Sequence, residues 1–173
     1  MKFPLIMFVN ICLVALIAQG CHSQDKALDR WETKGPSFAL RVTEFEDSRF
    51  PLSKFKYVFE AKPDGSDEWR EIMTANTDDD TPIPREQVRF ISNQVTYVFM
   101  TDQYAVTTDE GRSWSIWKAN DHISNVQYPG QFVIKEVLLN ADGNGTLTVT
   151  SRSADEQTRQ FQTGDFGRSW APK

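Results

Sequence analysis

At 173 residues with a formal net charge of −5, the chain has the length of one domain and lacks the basic footprint that nucleic acid demands. Its only cysteines, Cys12 and Cys21, exclude a disulfide-stapled scaffold.

In chain order, Met1-Lys2 gives a positive start, and Phe3 to Ala18 is apolar apart from Pro4 and Asn10. That run is short of the ~20 apolar residues a membrane span needs. Gly20-Cys21 follows, and the chain then turns polar at His22-Ser23-Gln24-Asp25-Lys26. A small residue directly before a cysteine, just after an apolar segment, resembles the bacterial lipobox, although Ala18 and Gln19 stand where that pattern usually has Leu and a smaller residue. The resemblance implies a signal peptide over 1–20, cleavage before Cys21 and lipid attachment, palmitate included, on that cysteine. Each buried CH₂ of the acyl chains contributes ~0.8 kcal/mol, so several chains make a durable anchor. Cleavage also removes Cys12, leaving one thiol that acylation occupies. It removes Lys2 as well, which takes the formal charge from −5 to −6, so the body is expected to stand off anionic lipid. His22 rather than Asp after Cys21 agrees with outer-membrane sorting, facing the periplasm or the cell surface.

Residues 21–34 read as anchor and tether, with room for a helical turn at 27–31, and 35–173 as a single all-β domain. Strands are expected at 37–44, 55–61, 69–74, 88–91, 95–100, 105–108, 114–118, 132–139, 146–151 and 158–162, with a short piece at Trp170. These segments are rich in Val, Ile, Phe, Tyr and Thr, and several alternate in polarity: Phe38, Leu40 and Val42 share one face, Arg41 and Thr43 the other. Turn residues separate them at Pro63-Asp64-Gly65, Asp109-Glu110-Gly111, Asp142-Gly143-Asn144-Gly145 and Asp165-Phe166-Gly167. A loop spans 77–84, a second spans 119–130, and 84–87 has room for a helical turn.

Thr107-Thr108-Asp109-Glu110-Gly111-Arg112-Ser113-Trp114 repeats as Thr163-Gly164-Asp165-Phe166-Gly167-Arg168-Ser169-Trp170, identical at six of eight positions and 56 residues on. Both copies fit Ser/Thr-x-Asp-x-Gly-x-Ser/Thr-Trp, and the chain resembles the Asp-box (BNR-like) repeat proteins over this part. A looser copy begins at Asp64 and ends at Trp69. The residues predict a structural role. Asp109 and Asp165 can accept backbone N–H bonds across hairpin turns, Gly111 and Gly167 can adopt positive φ, and Trp114 and Trp170 can bury a ring. Thr107, Ser113, Thr163 and Ser169 complete the two boxes. Each box lies within a four-stranded antiparallel meander, giving modules at about 35–75, 86–119 and 130–173, with the first read as three-stranded. In the resembled family such units are propeller blades. Closure takes four to eight of them, so two to three are expected to pack as a sandwich or an open partial propeller.

Sialidases carry Asp-boxes, but their catalytic arginines, Tyr/Glu pair and acid map onto no residues here. His122 lies in a polar loop without a nucleophile elbow, and reads as a solvated histidine. Asn140, Asp142, Asn144 and Gly145 imitate half a calcium loop, yet Ser151 falls where a bidentate Glu belongs, so an Asn-Gly hairpin turn is expected. Asp78-Asp79-Asp80 reads as a solvated acidic run. No cofactor and no metal is implied. Trp69, Trp114 and Trp170 are expected in hairpin cores, Trp117 on the face opposite Trp114, and Tyr97, Phe99 and Tyr104 buried between modules. The expectation is a non-enzymatic, membrane-anchored lipoprotein that binds a protein partner in the envelope. The alternatives are an immunity lipoprotein against a type VI secreted lipase, which its small, acidic, lipid-tethered β build resembles, and a glycan-binding or sialidase-like protein.

Overall fold

The fold is given by a computed structural model describing residues 25–46, 54–78, 85–123, 131–152 and 157–173. It is all-β: three four-stranded antiparallel sheets, each a simple meander in chain order. The first holds β1 (Lys26–Lys34), β2 (Phe38–Glu46), β3 (Phe55–Pro63) and β4 (Arg70–Thr77). A single 3-10 turn at Arg85–Gln87 leads into the second, β5 (Val88–Phe90), β6 (Thr96–Met100), β7 (Gln103–Thr107) and β8 (Ser115–Lys118). One helical turn, α1 (Ala119–His122), precedes the third, β9 (Phe132–Leu139), β10 (Gly145–Ser151), β11 (Thr158–Thr163) and β12 (Ala171–Pro172). The anchor expected at Cys21 and the signal peptide expected over 1–20 fall outside the described residues.

Lys26–Lys34 corrects the expected tether. It is an edge strand paired with β2 from Lys26↔Glu46 to Lys34↔Ala39, with a bulge at Leu28, and it makes the first sheet four-stranded. Only Trp31 of its nine residues is buried, so the segment carries one core side chain and no readable alternation. The helical turn allowed for at 27–31 is therefore strand.

The three sheets stack in sequence around two apolar layers. Phe38, Leu40, Val42, Tyr57 and Phe59 of the first sheet pack against Val98, Met100 and Ala105 of the second. Tyr97, Tyr104, Val106 and Trp117, on the opposite face of the second, pack against Ile134, Leu147, Val149 and Phe161 of the third. Every residue of β6 is consequently buried, as expected of a strand covered on both faces. The sheet-to-sheet contacts also blunt exposed edges. Gln103 Nε2 donates to Thr74 O at 2.7 Å on β4, Tyr97 Oη donates to Val137 O at 2.9 Å on β9, and Ile134 N donates to Thr101 O at 2.6 Å. Each such bond removes an unpaired edge group that would otherwise invite another strand.

Within each sheet the first and third hairpin turns meet at one end, joined by a backbone bond. The pairs are Asp64 N to Ser37 O (3.0 Å), Glu110 N to Gln94 O (3.2 Å) and Phe166 N to Gly143 O (2.9 Å). This recurrence makes the molecule a threefold repeat of one unit, the loose copy at Asp64 included.

Candidate functional site

The two copies of the eight-residue repeat, the expected Asp-boxes, fill the turns between the third and fourth strands of the second and third sheets, with nearly the same bonding. Asp109 Oδ1 accepts from Thr107 Oγ1 (2.8 Å) and Ser113 N (2.9 Å), and its Oδ2 accepts from Ser113 Oγ (2.6 Å). Asp165 accepts likewise from Thr163 Oγ1 (2.7 Å), Ser169 N (3.0 Å) and Ser169 Oγ (2.7 Å). The threonine hydroxyls in turn accept from Gly111 N (2.9 Å) and Gly167 N (3.0 Å). Burial works against ionisation of both carboxylates, but these donors outweigh it and hold both below the usual aspartate range. Positive φ occurs at Gly111 (79°) and Gly167 (78°), and also at the preceding Glu110 and Phe166 (63° each), which the sequence reading missed.

Both boxes dock on the preceding sheet. Trp114 meets Phe38 edge-on at 5.9 Å, and a Cβ on Gly111 would lie 2.7 Å from the Phe38 ring. Trp170 meets Tyr104 edge-on at 5.5 Å, and a Cβ on Gly167 would strike the Tyr104 hydroxyl. Trp69 also stands directly before a fourth strand, but its sheet has no sheet before it. Its ring lies between Arg41 (4.3 Å) and Lys62 (5.2 Å), half-buried and outside both apolar layers. The expected core role of Trp69 is thereby corrected: it is a surface ring held by cations, and Arg41 is itself held by Glu60 through two 2.7 Å bonds.

The remaining residues singled out from the sequence do not converge. His122 is exposed but stacks on Trp117, with ring centres 5.0 Å apart. The turn between β9 and β10 is closed by Gly143 N donating to Asn140 O at 3.1 Å, which puts Ala141 and Asp142 at its centre and Gly143 at positive φ (89°), and not Asn144-Gly145. Asp142 is taken up by Asn144 N and Nδ2, both at 3.0 Å, and these bonds lower its pKa. Asp78 pairs with Arg152 at 3.3 Å, while Asp79 and Asp80 fall outside the described residues. Among the described residues no three His, Cys, Asp or Glu side chains are grouped to hold a metal, and no helix is long and apolar enough to cross a membrane.

A recess lies between the second and third sheets, a groove of about 570 Å³ lined by the 3-10 turn, β5 and β6 on one side and β9 on the other. Glu86, Arg89, Lys135 and Glu136 are its charged residues, and Tyr97 and Phe99 are its aromatic ones. Burial raises the Tyr97 pKa, with Arg89 opposing and Glu136 reinforcing the shift. Gln87 Oε1 on this wall is buried with no donor among the described residues. Charges of both signs around aromatic rings can recognise a polypeptide. Tyr97 and Phe99 stand out in the sequence as buried aromatics, but the charged residues of this groove do not, because they come together only through the packing of two sheets distant in sequence. No family model, curated protein or solved structure matches the chain.

Proposed function

We propose that the chain is an exported, non-catalytic lipoprotein, held to an envelope membrane through Cys21, which binds a protein partner there. The observation that carries this reading is the Gly20-Cys21 junction directly after an apolar run of export length. Two features support protein as the ligand: a net charge of −5 that disfavours polyanions, and a groove whose rim mixes both signs around Tyr97 and Phe99.

Two experiments address the two halves of the reading. Cells given labelled palmitate are expected to label the chain, and Cys21→Ser is expected to abolish the label; equal labelling of the variant rules out Cys21 as the anchor. Pull-down from native membranes through a C-terminal tag is expected to recover one stoichiometric protein, lost when Arg89→Glu and Lys135→Glu are combined. A secreted lipase among the bound proteins would favour the immunity alternative over envelope assembly. Recovery of nothing above the Cys21→Ser control would refute partner binding while leaving the lipidation result intact.

A further inference from the structure

β9 is an outer strand of the third sheet, paired with β10 on one side only. The register shows which of its backbone groups face away from β10. Asn140 N donates to Asn144 O at 2.8 Å, and Leu138, two residues back, lies opposite Thr146. Hydrogen-bonded pairs alternate along an antiparallel ladder, so Leu138 and Asn140 bond toward β10, while Val137 and Leu139 turn their N–H and C=O outward. The second sheet takes up part of this edge: Ile134 N donates to Thr101 O, and Val137 O accepts from Tyr97 Oη. Val137 N, Leu139 N and Leu139 O have no partner among the described residues, and Val137 to Asn140 line the groove. No charge, proline or bulge guards this stretch, because the β9 bulge falls earlier, at Lys135. β1, the outer strand of the first sheet, is guarded by its bulge at Leu28 and by Lys26, Asp29, Arg30, Glu32 and Lys34.

We infer that the groove receives an extended segment of the partner protein as an added strand along β9, bonded to Val137 N and to both backbone groups of Leu139. This mode of binding rests on the protein partner proposed above and specifies the form that the partner presents. Donors and an acceptor spaced along a strand match the repeat of a polypeptide main chain, which a glycan or a lipid does not offer. Side chains of an added strand alternate in step with those of β9. Those level with Val137 and Leu139 point toward the layer that holds Tyr97 and Phe99, so apolar residues two apart suit the segment. The residue between them lies beside Leu138, a groove residue that is 55% exposed and that the added strand would cover. The outer edge of the segment faces the wall of the 3-10 turn. There Gln87 Oε1, an acceptor with no donor among the described residues, gains a bond to a main-chain N–H when its carboxamide turns outward.

Photo-crosslinking in native membranes tests this on the full chain. Benzoylphenylalanine is placed singly at Glu136, Leu138 or Leu28, and the adducts are mapped by mass spectrometry. Glu136 and Leu138 share a face of β9, so they are expected to mark one partner segment at points about two residues apart, and Leu28 to mark nothing in that segment. An ester in place of the Leu139 amide removes a donor that faces the groove and leaves the β10 ladder whole. It should lower recovery of the partner about fivefold or more without changing the melting temperature. The same change at Leu138 should lower the melting temperature, because that N–H belongs to the ladder. Strand addition is overturned if the partner is recovered but Glu136 and Leu138 mark scattered segments or none. It is equally overturned if the Leu139 ester binds like its parent or the Leu138 ester melts like its parent. Recovery of no partner by the unaltered chain refutes the protein-binding reading itself, and strand addition with it.

Discussion

Asp109 and Asp165 each accept three bonds from within their own turn, and each turn places two successive residues at positive φ. Removing either carboxylate leaves the Ser113 or Ser169 amide without its acceptor, so Asp109→Ala and Asp165→Ala should each cost about 1–3 kcal/mol in chemical denaturation. Gly111→Val should cost at least as much, because a side chain there faces both the positive φ and the Phe38 ring. Unchanged melting of all three would refute the structural reading of the box. Both carboxylates titrate below their unfolded value, so their stabilisation is complete above roughly pH 4 and is lost as pH falls through the lower folded values. Stability should therefore drop on acidification below that point, and a chain with both Asp→Asn changes should show a shallower drop in acid titration of unfolding. At this scale the sequence was informative, since Asp, Gly and Trp at fixed spacing imply one turn chemistry. Glu110 and Phe166 escaped notice because nothing in a Glu or Phe announces a left-handed backbone.

Strands were legible wherever alternation met a core. Phe38, Leu40 and Val42 have zero exposure and were read on one face. β1 was missed because it buries only Trp31, and an edge strand with a charged rim has the same composition as a tether. Trp31→Ala should therefore destabilise the protein by about 3 kcal/mol, whereas Leu28→Asp at the bulge should be nearly neutral in thermal melts. The three tryptophans that precede fourth strands should divide in the same way. Trp170→Ala should cost ~3–5 kcal/mol. Trp69→Ala should cost less, about 1–2 kcal/mol, because the ring is only half-buried and lies outside both apolar layers, and what it loses is partial burial and its contacts with Arg41 and Lys62. Equal costs for the two would contradict the docking of each box on a preceding sheet.

The order of the stack was not in the sequence at all. Periodicity says that Tyr97, Phe99 and Tyr104 face something apolar, but not that Val98 and Ala105, between them, face a second core. Because β6 is buried on both faces, its loss should take both layers with it. Val98→Asp should abolish folding of all three sheets together, and hydrogen exchange should be slowest in β6 and β7 with one shared global opening. Separate melting of the third sheet would show the layers to be independent. The groove beside β9 was illegible for the same reason, since Arg89 and Lys135 share its lining only through packing between sheets.

The backbone bond that closes each unit, from the third turn to the first, is made by an amide and a carbonyl and so requires a backbone geometry at the joint without calling for one particular side chain, as Asp64, Glu110 and Phe166 in the donor position show. A unit of this kind is free to drift in sequence at that joint while its neighbours preserve a recognisable signature, as the turn at Asp64 illustrates beside the two boxes. Ancestry among such repeats should persist longer in the spacing of turns than in the letters of the motif, so searches by motif will undercount the copies.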